Sequence, residues 1–482
     1  MSRFSHARLE LSMMINARSL PRPNAHDRYR PVYHFTPPSG WLNDPNGIVH
    51  HEGRWHVYYQ HNPTQPTWGD IHWGHASSAD LLTWRDEPLA LAPSPTTADG
   101  QGCFSGSFAW VNGTPTLYYT GWQNGVQTQC RATSQDLMTW EKDANNPIIP
   151  HPPEHVRQDD FRDPYVFQHG KRWYMVIGAS LHHDRGAALL YRSDNGQQWT
   201  YLHVLHTATR TDQGVMWECP NFFPLGDRWV LVVSVWPKLG ARYFLGSFED
   251  ERFTAEREGV IDGDGGAFAH LTAVGPDGRL LQWAWIDEQR HRDLIVPGGW
   301  AGVLSVPRQL ALVDGDLYVQ PVSELTQLRD KLLCGGEVLI GPTEPTGFQG
   351  THLDLQLTLE ADIEHPVHLS LLCSPDRSEE TILTFDPGAR LLKLDRSRSS
   401  LDPRVNRDSQ RVHLALRRGE RLELRVLLDG SVLEVYAGGR ACLTSRLYPS
   451  RTDSVLGRLT AERVTAGTFT VWTMGEDKGP PR

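Results

Sequence analysis

Five stretches of the chain share one pattern, a turn glycine followed by a run of aromatic and β-branched residues. They are GRWHVYYQ from Gly53, GTPTLYYTG from Gly113, GKRWYMVIG from Gly170, GDRWVLVVS from Gly226 and GRLLQWAWI from Gly278. Subtracting successive positions gives spacings of 60, 57, 56 and 52 residues. Short runs of this composition between turn residues read as strands. A repeat of this period built only from strands predicts the blades of a propeller, five in number. A second element recurs at matching places: SADLLTW (78–84) and SQDLMTW (134–140) are near copies, with SDNGQQW (193–199) and SFEDERF (247–253) as looser ones. Each predicts the turn and outer strand of a blade, its Trp or Phe packed between blades.

After YVQPVSELTQLRDKLL (318–333), which reads as a connector with a short helix, the pattern changes. HLDLQLTLEAD, ERLELRVLLDGSVLEVYAGGR and GTFTVWTM alternate apolar and polar residues strictly. That period predicts a β-sandwich with one buried face per sheet. The expected architecture is therefore all-β, a five-bladed β-propeller over residues 31–317, a connector over 318–336 and a C-terminal β-sandwich over 337–482. A flexible segment is expected to precede them over residues 1–30. At 482 residues, two domains are the ordinary expectation.

Composition narrows the function. The net charge of −10 leaves no basic stripe for nucleic acid, and WVLVVSVW (229–236) is too short to span a membrane. The opening residues lack the apolar stretch of roughly 7–15 residues that a signal peptide needs. Six scattered cysteines without CxxC spacing read as reduced thiols. A cytoplasmic enzyme is expected, with no nucleic-acid or membrane partner. His72 and His75 of HWGH lie three apart on a strand and so point to opposite faces, and no nearby Cys or carboxylate completes a site with them; no metal and no cofactor are expected.

The repeat places the candidate chemistry. Asp44 of WLNDPNG stands nine residues before Gly53, Asp163 of FRDP seven before Gly170, and Glu218 of WECP eight before Gly226. The matching residue before Gly113 is Ser105 of CFSGS. The first strand of a propeller blade lines the axis, so the three carboxylates are expected to converge at one end of the axial channel. Asp-Pro and Asn-Gly make WLNDPNG itself a turn, one expected to hold Asp44 at the channel mouth. Carboxylates clustered in an aromatic-lined pit can cleave glycosides, one ionised to attack and one protonated to release the leaving oxygen. Arg162 can hold its neighbouring carboxylate ionised. Cys219 lacks a histidine partner and reads as pocket wall.

With WLNDPNG, YYQHNP, WGDIHWGHASSADLLTW, GCFSGS, FRDP, WECP and GWAGVLSVPRQL in this order, the chain resembles the invertase and fructan-hydrolase group, glycoside hydrolase family 32, over roughly residues 34–475. The resemblance implies that Asp44 is a nucleophile toward C2 of a β-fructofuranosyl unit and Glu218 the general acid/base. It implies that Asp163 stays ionised and binds fructose hydroxyls, with retention of configuration. Asn43, Gln60, Trp68, Phe104, Ser105, Arg162 and Trp285 match positions that shape the fructose pocket. Phe268 of AFAHLT stands where the family often has tyrosine, and His270 is a candidate to compensate.

The implied activity is hydrolysis of sucrose or a related small fructoside, including sucrose 6-phosphate. Fructosyl transfer, an inverting arabinan or xylan hydrolase and a non-catalytic sugar-binding propeller are the alternatives. The partner is a small sugar, and exposed sandwich edges allow a homo-oligomer.

Overall fold

The computed structural model describes residues 27–475 apart from 183, 238, 239 and 344. Residues 1–26 of the expected flexible segment lie outside the described residues. Residues 40–321 form five successive sheets, antiparallel but for one short parallel pair in the first. Their first strands are Gly40–His51, Gly102–Val111, Val156–His169, Met216–Leu225 and Ala267–Val274. Each first strand packs against the next, and the fifth packs against the first. Every repeat glycine lies at the hairpin between first and second strands. Gly53, Gly113, Gly170, Gly226 and Gly278 have φ between +62° and +82°, a left-handed conformation that glycine adopts without penalty.

The second repeated element is a side-chain-capped turn. Asp80 Oδ1 accepts from the backbone N–H of Leu82 and Thr83. Asp136 repeats this with Met138 and Thr139, and Asn195 with Gln197 and Gln198. The residue after the cap is left-handed in all three (Leu81, Leu137 and Gly196). The aromatic that follows packs on the preceding sheet. Trp140 meets Tyr58, Trp199 meets Tyr118 and Phe253 meets His206. Trp84 of the first sheet meets Trp283 of the fifth.

The ends of this array are tied together by GWAGVLS. Trp300–Ala301 pairs in parallel with Gly40–Trp41 of the first sheet, and Val303–Leu304 pairs with the fifth. Gly302, between them, has φ +87°, and a Cβ there would stand 1.8 Å from the Leu42 carbonyl oxygen. A short helix, Arg292–Gly298, precedes this crossing; its seven residues are too few to carry a readable helical period.

The second half is a β-sandwich of two six-stranded sheets around a core rich in leucine. The segment expected as a connector is mostly strand. Asp316–Pro321 completes the fifth sheet, Ser323–Leu328 is a short 3-10 helix of about two turns, and Arg329–Ile340 is already an edge strand of the sandwich. Its polar, poorly alternating sequence reflects its edge position, where much of the strand faces solvent.

A buried ionic network joins the halves. Arg308 of the fifth sheet donates to Asp262 (2.9 Å), Glu434 (2.8 Å) and Thr444 (2.7 Å). His34, in the strap before the first sheet, bridges Glu434 (3.0 Å) and Asp429 (2.8 Å). Burial alone would lower the His34 pKa, but hydrogen bonds to both carboxylates outweigh it and bring it to about 8. The folded value exceeds the unfolded one, so this stabilisation is complete below about pH 6.5. It is lost as pH rises through about 8. Replacing His34 with Leu leaves two buried carboxylates short of a partner. Denaturant unfolding at pH 6 should show a loss of about 3–5 kcal/mol, and the difference from the parent should shrink above pH 8.

Candidate active site

At the same point of each first strand, two residues face one on the neighbouring strand. Asn43–Asp44 face Gln60, Phe104–Ser105 face Thr120 and Asp163–Pro164 face Ile177. Cys219–Pro220 face Val233, and Ala269–His270 face Ala284. These are β-bulges, which redirect side chains by breaking the two-residue alternation. The three carboxylates thus occupy successive positions of one device rather than a single repeat position, which corrects the simple register read from the glycines. Glu218 immediately precedes its bulge, Asp163 is a first bulged residue and Asp44 a second. Pro164 and Pro220 fit because a bulged residue owes no hydrogen bond to the ladder. Asp163, Cys219 and Ala269 all take φ between +45° and +64°.

WLNDPNG is therefore strand, not turn: residues 40–51 form one strand with two irregularities. Its turn-forming residues serve the bulges. Gly47 has φ +50°, and a Cβ there would crowd Leu117 and Tyr58 at 2.9 Å.

The bulged ends surround a cavity of about 340 Å³. Asn43, Asp44, Gln60, Trp68, Phe104, Arg162, Asp163, Glu218 and Trp285 line it. Ser105 stands behind Asp44 rather than on the wall. It donates to Asp44 Oδ2 at 2.6 Å and accepts from Gln60 Nε2 at 2.5 Å. Asn43 Nδ2 donates to Asp44 Oδ1 at 3.0 Å and to Gln60 Oε1 at 2.9 Å, while Trp41 Nε1 holds Asn43 Oδ1 at 2.8 Å. Asn46 ties the bulge to the second sheet, donating to the Asp44 carbonyl and accepting from Gly106 N. The Asp44 carboxylate is thereby held by side chains from two sheets.

Arg162 donates to Glu218 Oε1 through Nη2 (2.6 Å) and Nε (3.2 Å), and through Nη1 to Asp160 (3.0 Å) and Gln127 (3.3 Å). Its approach to Asp163 is only 4.0 Å. The guanidinium clamps the carboxylate of the next sheet, not its sequence neighbour. Burial works against its charge, yet Glu218 and Asp163 keep it firmly protonated. Asp163 is 5% exposed. Burial pushes its pKa up to about 7; Arg162 opposes the shift, and the charges of Glu218 and Asp44 reinforce it. Against the expectation of an Asp163 held ionised, burial raises its pKa to about 7, so near neutral pH the carboxyl is only partly ionised.

Cys219 touches both aspartates, its N–H donating to Asp163 Oδ2 at 2.9 Å and its thiol lying 3.5 Å from Asp44 Oδ2 and 3.6 Å from Asp163 Oδ2. Burial and the adjacent carboxylates keep the thiol protonated, so it is a weak donor and not a nucleophile. His270 occupies the bulge position matching Asp44 but is fully buried away from the cavity. Neither ring nitrogen has a hydrogen-bond partner among the described residues, and burial with Arg308 keeps it neutral. It does not replace a hydroxyl at Phe268, which lines the cavity.

Trp41 and Trp236 also line the cavity and were not among the expected site residues. Trp41 packs edge-on to Trp285 at 5.9 Å. Trp236 was hidden in an apolar run, but the hairpin turning at Gly226 carries the signal, since counting back along it sets residue 236 opposite residue 216, near Glu218.

The native state holds the Asp163 proton to about pH 7, whereas an unfolded aspartate releases it near pH 3.9. Stability therefore falls between those values as pH rises. Asp163→Asn should raise the melting temperature relative to the parent at pH 8, with the gain vanishing toward pH 4. An equal effect at both pH values would contradict a raised Asp163.

The chain is 33% identical to a sucrose-6-phosphate hydrolase of Escherichia coli, over 87% of this chain and 90% of that protein. It is also 33% identical to an E. coli raffinose invertase, over 87% and 89% respectively. The crystal structure of fructan 1-exohydrolase IIa from Cichorium intybus superimposes with a TM-score of 0.83 at 26% identity, covering 93% of this chain and 98% of that one. The description "Glycosyl hydrolases family 32 N-terminal domain" matches residues 34–321, and the corresponding C-terminal description matches residues 324–473. The chain belongs to glycosyl hydrolase family 32.

Proposed function

We propose that the protein is a retaining β-fructofuranosidase that hydrolyses the terminal fructofuranosyl bond of sucrose or a related small fructoside. The observation that carries this reading is the convergence of Asp44, Asp163 and Glu218 on one aromatic cavity. The five sheets are read as the blades of a propeller over residues 31–317 that carries the catalysis, with the sandwich as its brace. The unpaired state of all six cysteines fits a reducing compartment, and the cytoplasm is the proposed location.

In the first step an Asp44 oxygen attacks C2 of the fructosyl unit. The C2–O glycosidic bond breaks, and the Glu218 carboxyl proton goes to the departing oxygen. Arg162 fixes the Glu218 carboxyl by two N–H groups on one oxygen. The donors on Asp44 (Ser105, Gln60 and Asn43) orient the attacking carboxylate, which limits the motion needed to reach C2.

Having given its proton to the leaving oxygen, Glu218 is left as the carboxylate and takes a proton from the incoming water. Water oxygen then bonds to C2, the bond to Asp44 breaks, and two inversions give net retention. Asp163, ionised when it accepts hydrogen bonds from fructose hydroxyls, holds the ring through both steps.

The purified enzyme should release glucose and fructose from sucrose in equal amounts. Asp44→Asn should lower kcat by a factor on the order of 10⁴ or more. An excess of glucose would point to fructosyl transfer instead. Activity within about tenfold of the parent in Asp44→Asn would overturn the assignment of the nucleophile.

A further inference from the structure

Two tryptophans stand apart from the rest of the cavity wall. Trp68 is 53% exposed and Trp236 43% exposed, whereas Asp163 and Phe268 behind them are 5% and 3% exposed. Indole faces left in water at the lip of a cavity are surfaces for a ligand's apolar face.

The strand register places Trp236 relative to the proposed chemistry. Glu218 pairs with Ser234, and Met216 pairs with Trp236. Residues 234 and 236 point to the same side of the sheet, so the indole lies two cross-strand pairs beyond Glu218, on the exposed side. The proposed acid must meet the glycosidic oxygen. Whatever lies beyond it is the leaving group, not the fructosyl unit. Trp68 reaches the rim from the first sheet, its ring 5.9 Å from Phe104. Phe104 is in turn stacked on Trp122 at 5.5 Å and 18°, which gives Trp68 a firm backing.

The charge of the wall points the same way. Among the described residues lining the cavity there are three carboxylates and one cation, Arg162. All three guanidinium nitrogens of Arg162 already donate to Glu218, Asp160 or Gln127. A phosphate on the leaving sugar would bring about −1.5 to −2 charge toward a wall of net negative charge and the electron-rich faces of two indoles. A neutral pyranose offers C–H faces that suit those indoles.

We infer that Trp236 and Trp68 form an aromatic clamp for an uncharged sugar leaving group. On this inference, which rests on the fructofuranosidase reading, the enzyme selects sucrose over sucrose phosphorylated on its glucose unit, unlike the activity named for its E. coli relative.

The test compares the full-length parent, Trp236→Ala and Trp236→Phe on sucrose, sucrose 6-phosphate and methyl β-D-fructofuranoside. The parent should favour sucrose over sucrose 6-phosphate at least tenfold in kcat/KM. Trp236→Ala should lose about tenfold on sucrose, chiefly through KM, and at least five times less on the methyl fructoside, which has no leaving sugar to stack. Trp236→Phe should recover most of the loss. Sucrose 6-phosphate as the better substrate, or equal losses on sucrose and the methyl fructoside, would overturn the inference while leaving the fructofuranosidase reading intact. Cleavage of none of the three would overturn that reading and the inference together.

Discussion

One backbone distortion, repeated five times, underlies the site. At the same level of each first strand two residues oppose one, and the extra residue breaks the alternation that would otherwise send neighbouring side chains to opposite faces. Consecutive residues can then contribute to one small volume: Asn43 and Asp44, Arg162 and Asp163, Glu218 and Cys219. The distortion is not free. Three non-glycine residues at the bulges hold positive φ, at a cost on the order of 1–3 kcal/mol each. Hydrogen bonds between sheets offset it, since Asp163 N donates to Thr120 Oγ1 and Ala269 N to Ser234 Oγ. Strain and restraint therefore meet at the carboxylates.

The sandwich enters this account through the fifth sheet. That sheet supplies Phe268 and Trp285 to the cavity, and its Arg308 is anchored on Glu434 and Thr444 of the sandwich. A network with fully buried charges on both sides is costly to break and fixes one relative placement of the partners it joins. The far wall of the cavity thus depends on residues more than a hundred positions away in sequence.

Much of this was legible in the chain. The five glycine-led strands, the turns capped by Asp80 and Asp136, and the alternating second half stand in the sequence because they obey local rules of period and turn chemistry. The converging carboxylates could be found because the repeat supplies a common origin. What the sequence concealed was non-local or depended on register. WLNDPNG reads as a turn because the residues that tolerate a bulge are those that tolerate a reversal. Arg162 and Asp163 are adjacent in sequence and share the cavity, yet the clamp goes to Glu218, fifty-six positions on, because the packing of the next sheet, which local sequence does not show, brings that carboxylate within hydrogen-bond reach. Trp236 closes an apolar run in the sequence, and its exposure is set by the end of a hairpin rather than by composition.

The proposed mechanism stands or falls on a covalent bond to Asp44. Glu218→Gln, denatured during turnover of p-nitrophenyl β-D-fructofuranoside, whose leaving group needs little protonation, should carry one fructosyl unit. Peptide mass spectrometry should map that unit to Asp44. A fructosyl unit on Cys219 or any other side chain, or a pre-steady-state burst of nitrophenol with no adduct at Asp44, would contradict the account.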